Sequence, residues 1–189
     1  MPRLFYGLAI PPDCKTQGAA VQKGLQQRGV VAGNWSAPEL FHITVLFLGE
    51  LAPDLLPFLD EVGEAAAKSV RPFALRLTHA GAFERNRILW LGLAEDDGYE
   101  TLQALHSSVR RHIVRHGGIS VESRPYRPHL TLARKLNVPT FQAAGSGEGF
   151  PQQGISFPVT ELCLFESTRV NGKLTYPVLR SYPLSGHLT

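Results

Sequence analysis

Two short segments, His42-Ile43-Thr44-Val45 and His129-Leu130-Thr131-Leu132, set His and Thr at alternate positions among branched apolar residues. In a β-strand, residues two apart share a face. His42 would then project beside Thr44, and His129 beside Thr131, while their apolar neighbours turn to the core. Either segment alone reads as a half-buried strand whose polar groups bond to nearby backbone. The repetition, in the same order and with the same apolar flanks, points to chemistry instead. Two imidazoles and two hydroxyls facing one another suit in-line displacement at phosphorus. A neutral imidazole takes a proton from the attacking oxygen, and an imidazolium protonates the oxygen that leaves on the opposite side. Imidazole holds both states near neutral pH, so the step needs no metal. The hydroxyls can bond the non-bridging oxygens, whose charge persists through the transition state.

The elements that must carry these residues follow from periodicity. Residues 4–10 and 41–49 read as strands, with a helix over 12–28 between them. Leu55, Leu59, Val62 and Ala66 repeat at helical spacing, and Pro53 and Pro57 confine the start of that helix to its first turns. "PFALRLTHAGAF" and "RILWLGL" form a hairpin around "ERNR". Leu102, Leu105, Val109 and Ile113 line a further helix, which Gly117 and Gly118 stop. The second motif strand is "HLTLAR". "ISFPVTELCLFES" and "LTYPVLRSYPL" read as two closing strands joined by a turn at Asn171-Gly172. Hairpins mixed with helices, and no regular βαβ repeat, predict an α+β fold of mainly antiparallel sheet. No linker-like segment divides the chain, so residues 1–189 are expected to form one bilobal domain.

With 43% hydrophobic and 19% charged residues, the composition is that of a folded, soluble chain. No apolar run approaches the ~20 residues of a membrane span. The opening "AIPP" makes a poor signal-peptidase site, and Cys14 and Cys163 match no metal or disulfide spacing. A cytoplasmic protein with no membrane attachment is expected, and a monomer. The net charge of +3 is uneven: residues 110–135 hold seven Lys/Arg against Glu122 alone, leaving 12 basic and 15 acidic residues elsewhere. That segment reads as a solvated helix face with its loop, or as the footprint of a phosphate-bearing partner. His112 and His116 share a helical spacing used by metal sites, but no carboxylate or Cys completes a set, so surface histidines are expected. His79 and His187 carry no motif. "GSGEG" lacks the Lys-Ser/Thr of a phosphate loop and reads as plain loop within 143–154.

The chain resembles the 2H phosphoesterase superfamily, and within it the RNA 2′,3′-cyclic phosphodiesterases, also called 2′-5′ RNA ligases. "RLFYGLAIP" is similar to that family's first strand, "FHITVLFLGE" and "RPYRPHLTLAR" to its two motifs, "GAFERNRILWLG" to its middle hairpin, and "LFESTRVNGKLTYPVL" to its closing hairpin. The resemblance implies two pseudo-symmetric lobes of antiparallel sheet backed by helices, with one motif per lobe facing a central cleft. It also implies opening of a terminal 2′,3′-cyclic phosphate to a 2′-phosphomonoester without metal or cofactor. Carried over, His42 is the acid on the ribose O3′ and His129 the base on water, with Thr44 and Thr131 on phosphate oxygens. The near two-fold symmetry leaves the exchanged roles open. Arg134 becomes a phosphate ligand, although its odd offset from His129 turns it off the motif face unless the strand ends or bulges first. Phe83 and Tyr126 are candidates for stacking on a base. The expected substrates are RNA with 2′,3′-cyclic ends or small cyclic nucleotides. Two further readings stay open: an RNA-end binding module without catalysis, and a phosphodiesterase for another small cyclic phosphate.

Overall fold

The computed structural model describes residues 1–145 and 150–186. Most of "GSGEG", and His187, lie outside them. In chain order the elements are β1 (Arg3–Ala9), α1 (Pro12–Gln27), β2 (Ala32–Trp35), β3 (His42–Glu50), α2 (Leu56–Ala67), β4 (Phe73–Phe83), β5 (Ile88–Leu93), α3 (Asp97–His116), β6 (His129–Leu136), α4 (Val138–Ala144), β7 (Ile155–Val159), β8 (Glu161–Val170), β9 (Lys173–Thr175) and β10 (Val178–Pro183). Local chemistry sets the helix ends. The Asp96 side chain accepts the Gly98 and Tyr99 N–H groups at the start of α3, and Gly117 at φ 75° ends it. Pro12 occupies the first turn of α1, where no N–H is needed.

All the strand pairings are antiparallel, in the order β10-β8-β1-β3-β6-β5-β4-β7. The two halves of four strands therefore meet edge to edge through the motif strands. The β3–β6 junction is a single residue pair, Ile43 with Leu130. Leu59, Val62 and Ala66 on α2, and Leu102, Leu105, Val109 and Ile113 on α3, are buried against one side of the sheet. Burying each such Leu contributes roughly 1.5–3 kcal/mol. The other side of the motif strands is left for the cleft.

Three departures from the expected elements have plain causes. "ISFPVTELCLFES" is broken at Thr160: β7 pairs with β4 at one end of the sheet, and β8 lies between β1 and β10 at the other. A strand-like run without a turn signal does not say which neighbours each half will find. "LTYPVLRSYPL" is likewise divided, with Pro177, which has no N–H, between β9 and β10. The short β2 and α4 were not anticipated; their sequences carry no periodic apolar face, and β2 exists because β6 offers it an edge. The turn at Asn171-Gly172 has both residues at positive φ, as a two-residue hairpin requires.

Candidate active site

The register at the sheet centre assembles the four motif side chains. Because Ile43 pairs with Leu130, His42 lies across from Thr131 and Thr44 across from His129. The imidazoles thus occupy one diagonal of a square and the hydroxyls the other. Close approach of β1 depends on Gly7, opposite Thr44, where a Cβ would sit 2.9 Å from the Ile43 carbonyl oxygen.

Both rings are aimed in the same way. His42 Nδ1 lies 2.7 Å from the Leu40 carbonyl oxygen, and His129 Nδ1 lies 2.7 Å from that of Arg127. A carbonyl only accepts, so each Nδ1 carries the proton and donates it. Each neutral ring then keeps its Nε2 lone pair for the cleft. The Thr44 hydroxyl stands 3.1 Å from His42 Nε2 and donates to it. Aromatic side chains wall the rings: Phe5 and Tyr176 lie 4.9 Å from His42, and Phe83 meets His129 edge-on at 5.0 Å. Burial lowers the pKa of both rings. For His42 the shift continues to about 4, with the Leu40 carbonyl opposing it and His129, Arg134 and Lys15 adding to it. For His129, burial leads, the Arg127 carbonyl opposes, and Arg134 adds.

The odd offset of Arg134 is resolved by a β-bulge. Leu89 pairs with Ala133 and Trp90 with Thr131, leaving Leu132 as an extra residue. One inserted residue flips the alternation, so Arg134 comes back to the face of His129 and Thr131. The first motif has the same bulge: Tyr6 pairs with Leu46 and Gly7 with Thr44, leaving Val45 extra. Phe47 occupies the matching position there and is 41% exposed, with Arg3 over its ring. The bulges carry a sequence signal, since each motif Thr is followed by two successive apolar residues, Val45-Leu46 and Leu132-Ala133, all buried.

Each bulge is also bonded from outside its strand, by residues no local pattern marks. The Val45 carbonyl accepts from His106 Nδ1 on α3 at 2.8 Å, and the Thr44 carbonyl accepts from the Tyr126 hydroxyl at 2.8 Å. At the other motif, Gln22 on α1 donates to the Leu132 carbonyl at 2.8 Å. Tyr126, a stacking candidate from sequence, has one ring face covered by His106 at 4.0 Å and 5°. Its hydroxyl is committed to the strand, while the residue also lines the cavity beside Thr44 and His129. Phe83 lies 5.2 Å from Trp90 and lines, with Thr44, Phe47 and His129, a cavity of about 620 Å³. That volume suits a nucleotide-sized ligand. Away from the cleft, His116 stacks on Phe58 at 3.8 Å and His112 bonds the Ser108 carbonyl. Among the described residues no group of three or more His, Cys, Asp or Glu could hold a metal ion.

A central His/Thr square on paired antiparallel half-sheets, with an arginine bulged onto the same face, is the arrangement that two-imidazole displacement at phosphorus calls for. A sequence profile of the 2′-5′ RNA ligase superfamily matches residues 35–171, and the chain belongs to that superfamily. It is 28% identical to the RNA 2′,3′-cyclic phosphodiesterase of Escherichia coli, covering 97% of each chain. It is 29% identical to that of Thermus thermophilus, over 97% of this chain and 91% of the relative. A relative of the same name from Geobacillus stearothermophilus is 29% identical over 98% of this chain, which spans 59% of that longer protein. The crystal structure of E. coli LigT complexed with 3′-AMP superposes with a TM-score of 0.78 at 26% identity, covering 98% of this chain and 99% of the other. No helix among the described residues is long and apolar enough to cross a membrane.

Proposed function

We propose that this chain is an RNA 2′,3′-cyclic phosphodiesterase that opens a terminal 2′,3′-cyclic phosphate to a 2′-phosphomonoester. The observation that carries the reading is the His/Thr square with both Nε2 atoms turned to the cleft as acceptors, that of His42 holding the Thr44 hydroxyl, and Arg134 on the same face. Water attacks phosphorus opposite O3′, the P–O3′ bond breaks, and one water proton passes to the base imidazole. The acid imidazolium delivers its proton to O3′, so the pair ends with its protons exchanged. In the assignment the family resemblance implies, His42 is the acid and His129 the base. Thr44, Thr131 and Arg134 hold the non-bridging oxygens, where a guanidinium adds charge as well as hydrogen bonds. Both rings have lowered pKa values, so the bound anion must draw a proton onto one of them. The cavity beside Thr44 and His129, with Phe83 in its wall, receives the nucleoside. No metal or cofactor enters the scheme. A 5′-hydroxyl in place of water would give 2′-5′ joining by the same groups. The working form is taken as a cytoplasmic monomer built as one bilobal domain.

The deciding experiment is incubation with a short RNA bearing a 2′,3′-cyclic end, followed by identification of the product isomer. A 2′-phosphate is expected. A 3′-phosphate would contradict the placement of the leaving oxygen, and tight binding without turnover would identify an RNA-end binding module.

A further inference from the structure

Gln22 is 7% exposed and sits on α1, outside both motifs. Its Nε2 donates to the carbonyls of Ser36 and Leu132, each at 2.8 Å. The Ser36 N–H donates to the same Leu132 carbonyl at 2.8 Å. Leu132 is the extra residue of the second bulge, and the site is a junction. On this side of β6, Leu130 faces Ile43 of β3, whereas Ala133 and Arg134 face Trp35 and Asn34 of β2. The amide bonds the chain at the point where the pairing changes hands. Without the amide the Leu132 carbonyl keeps only the Ser36 N–H and the Ser36 carbonyl loses its side-chain donor, and a strand relaxing to regular alternation would turn Arg134 off the cleft.

We propose that Gln22 is a positioning residue for the phosphodiesterase reaction: its amide holds the Leu132 carbonyl in the bulged direction and so keeps Arg134 on the face shared by His129 and Thr131. The inference rests on Arg134 serving as the phosphate ligand. The side chain suits the task because one neutral group supplies two N–H donors to two carbonyls. Glutamate offers no donor when ionised, methionine matches the length without donors, and asparagine is one methylene short.

The test compares the wild type with Arg134→Gln, Gln22→Met and the double variant. The ring pKa values of His42 and His129 are read by NMR titration, and kcat/KM with an RNA bearing a 2′,3′-cyclic end. The charges facing the rings are Arg134 on β6 for both, together with Lys15 on α1 and His129 for His42. Removing the Arg134 charge therefore raises both values. Gln22→Met is expected to raise both in the same way and to lower kcat/KM by roughly ten- to a hundredfold, the scale of a displaced catalytic group. Added to Arg134→Gln, it should cost less than about threefold more, since coupled sites are not additive. A shift confined to His42 would trace to displacement of Lys15 and overturn the proposal. Unchanged titrations with only a lower Tm, or losses that multiply in the double variant, would overturn it too. Should Gln22→Met fail to fold, Gln22→Asn is expected to give the same upward shift of both rings at smaller size, and its absence in that folded variant counts against the idea. A wild type that does not turn over the RNA would sink the functional reading, while the titrations still decide what Gln22 does.

Discussion

His42 and His129 are neutral for a physical reason and aimed for another. Burial disfavours the charged rings, while the Leu40 and Arg127 carbonyls hold the proton on Nδ1. Replacing either ring with alanine should lower kcat/KM by about 10²–10⁴-fold, the range of one general acid or base. The double variant should lose far less than the product, because the two act in one step. Melting temperatures measured alongside will separate lost chemistry from lost folding. The pH dependence follows from the sign of the shifts. In the proposed mechanism the productive pair has one ring protonated and one neutral, and its population peaks between two values that both lie below 6.5. A bell-shaped kcat/KM profile is expected, with its maximum below pH 6.5 and a decline as pH rises beyond it. The kcat profile should peak at higher pH, since the bound phosphate favours imidazolium. A kcat/KM that keeps rising through pH 8 would rule this scheme out.

The strand bulges are the elements that turn two similar motifs into one asymmetric site. At the same offset from its His, β3 presents Phe47 and β6 presents Arg134. Arg134→Ala should lower kcat/KM by about 10²-fold, as loss of one transition-state donor does, with little change in Tm because the side chain is exposed. Wild-type rate and affinity in that variant would reduce Arg134 to a surface charge. The motif faces were legible in the sequence, because alternation of period two is a local property. The bulges were half-legible in the adjacent apolar pairs Val45-Leu46 and Leu132-Ala133. Their supports were not, because Gln22 and His106 reach them from distant helices.

Across the whole molecule, two half-sheets meet at one residue pair, and the site lies on that seam. Its half-buried histidines couple stability to pH. Both folded pKa values lie below the unfolded value near 6.5, so the unfolded chain takes up protons first as pH falls. Stability is then fully present above pH 6.5 and is lost as pH falls toward about 4, the folded value of His42. The fall in Tm between pH 7 and pH 5 should be smaller in His42→Gln than in wild type, and equal falls would count against burial as the cause. Activity should also survive prolonged chelation, since the described residues gather no metal-binding group. Activity lost to EDTA and restored by a divalent ion would show that a metal joins the two imidazoles.

What the sequence determined by itself was the repeated His-x-Thr pair, the apolar stripes of α2 and α3, the turn at Asn171-Gly172 and the antiparallel class, all written within a few residues of one another. Only the tertiary structure decided that Ile43 meets Leu130, which of four polar side chains stand opposite which, and that "ISFPVTELCLFES" divides between the two ends of the sheet. It also decided that Tyr126 braces a strand and that Phe5 and Tyr176 enclose His42. Periodicity reports which face a residue takes within its own element. Register, bulge support and burial depend on what the other elements bring to that face, and residues more than 100 positions apart in the chain, such as Gln22 and Leu132, leave no local mark of their meeting.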